Sequence, residues 1–134
     1  MVGVRQYIGG LLLCGHLHAA APLTEVPGDA QSGRDVFLDR DAGHCLLCHQ
    51  VEQLDAPFQG NLGPDLSDIG NRLSTAELRE RIVDPTRLNP ETVMPAYYRT
   101  SDLRQVGTAY LGKPILSAQQ VEDVVTFIST LKRP

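Results

Sequence analysis

The chain has 134 residues, enough for one domain with a real core and too few for two. A hydrophobic share of 42% with mixed charge excludes a disordered chain, and a net charge of −4 leaves no electrostatic footprint for nucleic acid. Aromatic residues make up only 5% and Trp is absent, so something other than aromatic bulk has to fill the interior.

The first element in chain order is a leader. Arg5 is the only charged residue before Glu25, Tyr7 to Leu17 is Gly- and Leu-rich, and Ala19, Ala20 and Ala21 precede Pro22. A positive start, a short apolar run and a small-residue site read as a secretory signal peptide over residues 1–21, cut after Ala20 or Ala21. Spanning a membrane takes about 20 apolar residues, so no span is expected in the mature chain. Cys14 follows Leu13 rather than a small residue, which argues against lipidation there. Removing the leader leaves Cys45, Cys48, His44, His49 and Met94 as the only cysteines, histidines and methionine. An exported chain meets an oxidising compartment, where a lone cysteine pair is first suspected of being a disulfide.

Residues 22–30 read as an extended arm, and the domain proper is expected over 31–134. Asp29 caps a predicted helix from Gln31 to about Asp39, with Gly33, Val36 and Phe37 toward one side. Ser74 and Glu77 form a capping box, Leu73 and Leu78 suit a hydrophobic staple, and Asp84-Pro85 ends that helix. Ser117 and Gln120 repeat the box before Val121, Val124, Val125, Ile128 and Leu131 at helical spacing. Glu122 and Asp123 are assigned to the first turn and Lys132 and Arg133 to the last, where the helix dipole favours them. No segment alternates as a strand, so the class is all-α. Loops over 60–70 and about 84–100 are long for a small domain and need a body to wrap around.

The chemistry is concentrated in Cys45-Leu46-Leu47-Cys48-His49, the c-type haem attachment sequence. Two thiols three residues apart each reach one vinyl group, and the following His falls on the iron. A thioredoxin-like pair expects a βαβ setting that is missing here. Zinc needs four converging ligands, and His44 sits in the same short run. A small disulfide explains neither His49 nor the loops. One covalently bound haem c explains both, and its flat apolar ring substitutes for the missing aromatics.

Met94 is the expected sixth ligand by elimination. It is the only thioether after processing, and Lys113 and Lys132 would have to lose protons to ligate. Pro95 biases Met94 toward an extended conformation that projects the sulfur. The alternative is a buried, gap-filling Met. A His/Met pair favours reduced iron and leaves no open position for substrate. His49 needs an acceptor for its other ring nitrogen. The Pro64 carbonyl is a candidate, and an ordinary turn at Gly63-Pro64-Asp65-Leu66 is the other reading. His44 reads as solvent-side. For Tyr97, Tyr98 and Arg99, contact with haem propionates stands beside core packing and a solvated Arg99.

From about Gln31 to Leu131 the chain resembles a class I cytochrome c. Gly33 and Phe37 match the Gly-x-x-x-aromatic of its first helix, and Val124 and Phe127 the apolar-x-x-aromatic of its last. Gly63-Pro64-x-Leu66 resembles the family's Gly-Pro-x-Leu, whose proline carbonyl accepts from the ligating His, and this favours Pro64. Within that family the chain is similar to the SoxX subunits, the small haem subunits of the SoxAX cytochromes of bacterial sulfur oxidation. That likeness lies in Gly63 to Gly70, in Asp84 to Pro95 and in Gly112 to Val125.

The resemblance implies a periplasmic heterodimer with SoxA. SoxAX oxidatively joins thiosulfate to a cysteine of SoxY in the SoxYZ carrier, at a haem of SoxA. The haem held by the present chain would pass the electrons to a soluble cytochrome c or similar acceptor. No catalytic site of its own is expected, since with His49 on iron only His44 remains as a neutral-pH acid or base. The rival reading is a free-standing, diffusible periplasmic carrier. Two lysines make a poor steering rim, which argues mildly against it. The arm at 22–30 is open to two readings, a partner-wrapping segment or a frayed terminus.

Overall fold

The structure, a computed structural model, describes residues 20–134. The leader expected over 1–21 therefore lies outside the described residues except for Ala20 and Ala21. Among those described there are five α-helices and no strand: α1 (Ala30–Leu38), α2 (Cys45–Cys48), α3 (Ile69–Arg72), α4 (Thr75–Val83) and α5 (Ala118–Ser129). Single 3₁₀ turns lie at Pro85–Arg87 and Thr108–Tyr110.

Local chemistry sets where the longer helices begin. The Asp29 carboxylate accepts from the Ser32 N–H at 2.7 Å and opens α1 one residue earlier than the sequence indicates. Reciprocal boxes close on α4 through Ser74 and Glu77, and on α5 through Ser117 and Gln120. Leu73 packs on the buried cluster that contains Leu78, as a staple requires. α2 and α3 are single turns, too short to leave a periodic signal.

α1 crosses α5 at Gly33. A β-carbon there would stand 1.9 Å from the Asp123 carbonyl oxygen and 2.9 Å from the Phe127 β-carbon. Beside the crossing, the Phe37 and Phe127 rings meet edge to face, centroids 5.4 Å apart. The obstruction at Gly33 is backbone rather than a movable side chain. Gly33→Val should therefore cost at least the ~1–3 kcal/mol typical of overpacking. Urea denaturation of the holoprotein measures this, and an unchanged midpoint would remove the close approach from the account.

Charges on α5 differ from the sequence reading. Helix α5 starts at Ala118 and stops at Ser129, so its first turn holds no acid and its last no base. Glu122 and Asp123 are instead buried, at 5% and 7% exposure. Glu122 takes both Arg79 Nε and Nη2, at 2.7 and 2.8 Å, and Asp123 accepts from the Asp29 N–H at 2.9 Å. Arg133 leaves the helix axis for Glu52 and Asp65, at 2.9 and 3.1 Å. These contacts outweigh the dipole, which acts only over the terminal turn.

The arm lies along α5. Leu23 N–H donates to Glu122 at 3.0 Å, the Thr24 hydroxyl to Gln119 at 3.0 Å, and Arg79 to the Ala20 carbonyl at 2.7 Å. Several of its polar groups are engaged with its own chain.

Candidate functional site

A cavity of about 560 Å³ opens between α2, α3, α4 and the loop that carries Met94. Its wall is mainly apolar, formed by side chains such as Leu66, Ile69, Leu78, Ile82 and Ile128. Cys48, His49, Pro64 and Met94 all line it. A smaller continuation of about 50 Å³ reaches inward past Cys45, His49, Met94 and Phe37. Residues far apart in sequence therefore converge on one apolar space.

The attachment segment is a single helical turn. His44 precedes it in the left-handed region at φ 54°, and the His49 N–H donates to the Cys45 carbonyl at 2.9 Å. That turn sets the two sulfurs on one short element with His49 at its exit. Burial pushes the Cys45 thiol up to about 12. Reactive Cys-x-x-Cys pairs of the thioredoxin kind work with a lowered thiol pKa, so the environment of Cys45 is the opposite of what they need. Among the described residues no three His, Cys, Asp or Glu side chains group as a metal site of the kind zinc needs.

His49 is held by its neighbours. Nδ1 lies 2.8 Å from the Pro64 carbonyl oxygen, so in the tautomer that donates there Nε2 keeps a free lone pair. The Gly63 position touches the ring. A β-carbon there would sit 2.4 Å from Cε1 and 2.7 Å from Nδ1. Because the ring is tied to Pro64, Gly63→Ala should turn it and weaken that bond, at about 1–3 kcal/mol. Lower holoprotein yield and an altered Soret band are expected, and a wild-type spectrum with wild-type stability would show that the ring does not need this space.

Met94 is half-buried, and its N–H donates to the Thr92 hydroxyl at 3.2 Å. Its loop is pinned at the return limb. The Tyr97 and Tyr98 N–H groups donate to the Ile82 and Val83 carbonyls at the end of α4, at 3.0 and 3.2 Å. Tyr97 is buried and its hydroxyl donates to the Gly43 carbonyl at 2.7 Å, which ties this loop to the attachment segment. Burial first, and then the nearby Cys45 and Cys48 sulfurs, raise the Tyr97 phenol above its usual range. It acts as a neutral donor.

Of the groups weighed for propionates, Tyr97 lines the cavity but its hydroxyl is engaged, and Tyr98 packs on the core. Arg99 turns away to Asp84 and Thr86, at 3.3 and 2.8 Å. The cations on the cavity wall are Arg72 and Arg81. Neither is ion-paired among the described residues: Arg72 donates to the Asp65 and Asp68 carbonyls, and Arg81 to the Glu77 carbonyl. Sequence reasoning missed both, because an Arg in the last turn of a helix looks like any solvated cation. His44 is exposed at the cavity edge.

These features fit a flat apolar macrocycle with a carboxylate edge: two thiols on one turn, an oriented imidazole, a thioether and two arginines around one apolar space. The cytochrome c profile matches residues 30–132. The chain belongs to the cytochrome c family.

Members of that family carry covalently bound haem c. The chain is similar to SoxXA from P. pantotrophus, at 36% identity and a TM-score of 0.78 over 84% of this chain and 88% of that one. The c-type cytochrome SorU from Sinorhizobium meliloti also matches, at 24% identity and a TM-score of 0.49, over 77% of this chain and 90% of that one. No curated protein matches. The all-α cytochrome c fold and the likeness to SoxX read from sequence both hold. Among the described residues no helix is long and apolar enough to cross a membrane.

Proposed function

We propose that this chain is a SoxX-type subunit, a monohaem cytochrome that accepts electrons within a SoxAX complex. The observation that carries the reading is the 36% identity to SoxXA over most of both chains. Cys45 and Cys48 would hold the haem by thioethers, and His49 and Met94 would ligate its iron. The Pro64 carbonyl fixes the His49 tautomer, and Arg72 and Arg81 oppose the charge of the carboxylate edge. With one attachment sequence in the chain, one haem is expected. When bound, the haem stores and releases a single electron.

In this reading the leader directs export to the periplasm and SoxA is the partner. The complex joins thiosulfate oxidatively to a cysteine of SoxY, and the electrons leave toward a soluble cytochrome c or similar acceptor. The surface chemistry supports a lasting partner over a diffusive one. Leu47 and Phe58 are 70% and 88% exposed, in segments 42–51 and 56–64 that carry no formal charge.

The test is a gentle purification of the tagged mature chain from its source, with haem staining of the denatured gel. A second haem-bearing chain in equal amount supports the reading, and thiosulfate-dependent modification of SoxY is then the assay. A haem-positive chain that emerges alone overturns it in favour of a diffusible carrier.

A further inference from the structure

The loop that carries Met94 leaves α4 at Asp84 and returns at Arg99, and these two residues meet. Arg99 Nη1 stands 3.4 and 3.3 Å from the two Asp84 carboxylate oxygens and donates to the Thr86 hydroxyl at 2.8 Å. Thr86 in turn donates its hydroxyl and its N–H to Asp84. Asp84 is 8% exposed, and Arg99 Nε is buried with no partner among the described residues. Burial alone would raise the Asp84 carboxyl, yet the Thr86 hydroxyl and the Arg99 charge hold it below its ordinary value.

The pair continues the backbone bonds from Tyr97 and Tyr98 to the end of α4 and forms their outermost rung. These backbone bonds satisfy carbonyls that the helix end would otherwise leave open. Opening the outer rung first is the cheapest way to release residues 85–96, because Met94 is the one side chain of that segment that packs on the cluster around Phe37 and Phe127. A rung of this kind controls one loop, whereas the α1–α5 crossing controls the whole domain.

We propose that Asp84 and Arg99 form a latch that closes the Met94 loop, which makes them positioning residues for the sixth ligand. The proposal rests on the reading of Met94 as that ligand. The latch sets how often the thioether leaves the iron and a small external ligand can take its place. Its other consequence is independent of iron: amide exchange in 85–96 is governed by the latch rather than by global unfolding.

The experiment uses the oxidised holoprotein, with imidazole as the competing ligand and amide hydrogen exchange as the second readout. Arg99→Gln should speed imidazole capture about tenfold, the size expected for a partly buried pair worth ~1.4 kcal/mol. Exchange across 85–96 should quicken similarly while α1 and α5 keep their protection. Arg99→Lys should recover part of the effect, and Asp84→Asn should reproduce it if Arg99→Gln fails to fold. In the double variant the two effects should not add, since both remove one pair. Unchanged capture and exchange would overturn the latch, as would acceleration matched by equal loss of global stability. If the wild type lacks a thioether-to-iron band, the ligand assignment fails instead, and exchange across 85–96 still decides the latch.

Discussion

Replacing Met94 with leucine is expected to abolish the thioether-to-iron charge-transfer band of the oxidised holoprotein and to lower its reduction potential. Leucine is close to methionine in volume and fully apolar, so a half-buried site should tolerate it within about 1.5 kcal/mol. What it cannot supply is the sulfur. Thioether ligation stabilises reduced iron, and axial ligands span roughly 0.8 V across haem proteins, so a fall on the order of 0.1 V or more is expected. Visible spectroscopy and a redox titration read the two effects separately. A retained band at an unchanged potential would mean that Met94 only fills space between the loop and the core, and the sixth ligand would have to be sought elsewhere.

The second large effect concerns stability. Arg79→Ala should lower the unfolding free energy by ~3–5 kcal/mol, because it strands a buried carboxylate. That is a large part of the ~5–15 kcal/mol typical of a domain. The pair is bidentate, with side chains 8% and 6% exposed, and Glu122 also takes the Leu23 N–H, so the arm should loosen as well. Burial pushes the Glu122 carboxyl upward, but the Arg79 hydrogen bonds, the Leu23 N–H and the Arg79 charge hold it below its ordinary value. A lowered folded pKa contributes stability that is present above the unfolded value and is lost as pH falls through the folded one. The wild type should therefore lose stability on the acid side, below the ordinary glutamate range. A double variant with Arg79→Met and Glu122→Leu should be milder than either single truncation, since it leaves no buried charge. Urea titrations at several pH values check all three statements, and equal losses for the single and double variants would reject the pairing.

Much of the site was legible because its chemistry is local. Cys45, Cys48 and His49 sit within one turn, and no long-range contact is needed to recognise what two thiols and an imidazole at that spacing attach. The capping boxes of α4 and α5 were legible for the same reason, since each closes within four residues. Met94 was singled out by elimination, which is possible only because the chain has few soft ligands, and it does line the cavity.

The single-turn helices α2 and α3 were missed, because one turn cannot display a period of 3.6 residues. Arg99 was weighed as a propionate partner because its charge is visible in the sequence and its direction is not. The backbone of 97–99 runs along the end of α4 and turns Arg99 onto Asp84, 15 residues earlier. The cations on the cavity wall are instead Arg72 and Arg81, whose place there depends on how α3 and α4 pack.

The sequence by itself determined the prosthetic group, the class of fold and the caps that open the three longer helices. Each is set by contacts that close within a few residues or by a composition with few thioethers and few aromatics. Only the tertiary structure decided which charges are buried, where the arm lies and which cations face the cavity. Glu122 meets Arg79 across 43 residues and Leu23 across 99. Pairings at such distance depend on how α4 and the arm pack on α5, and no local spacing encodes them.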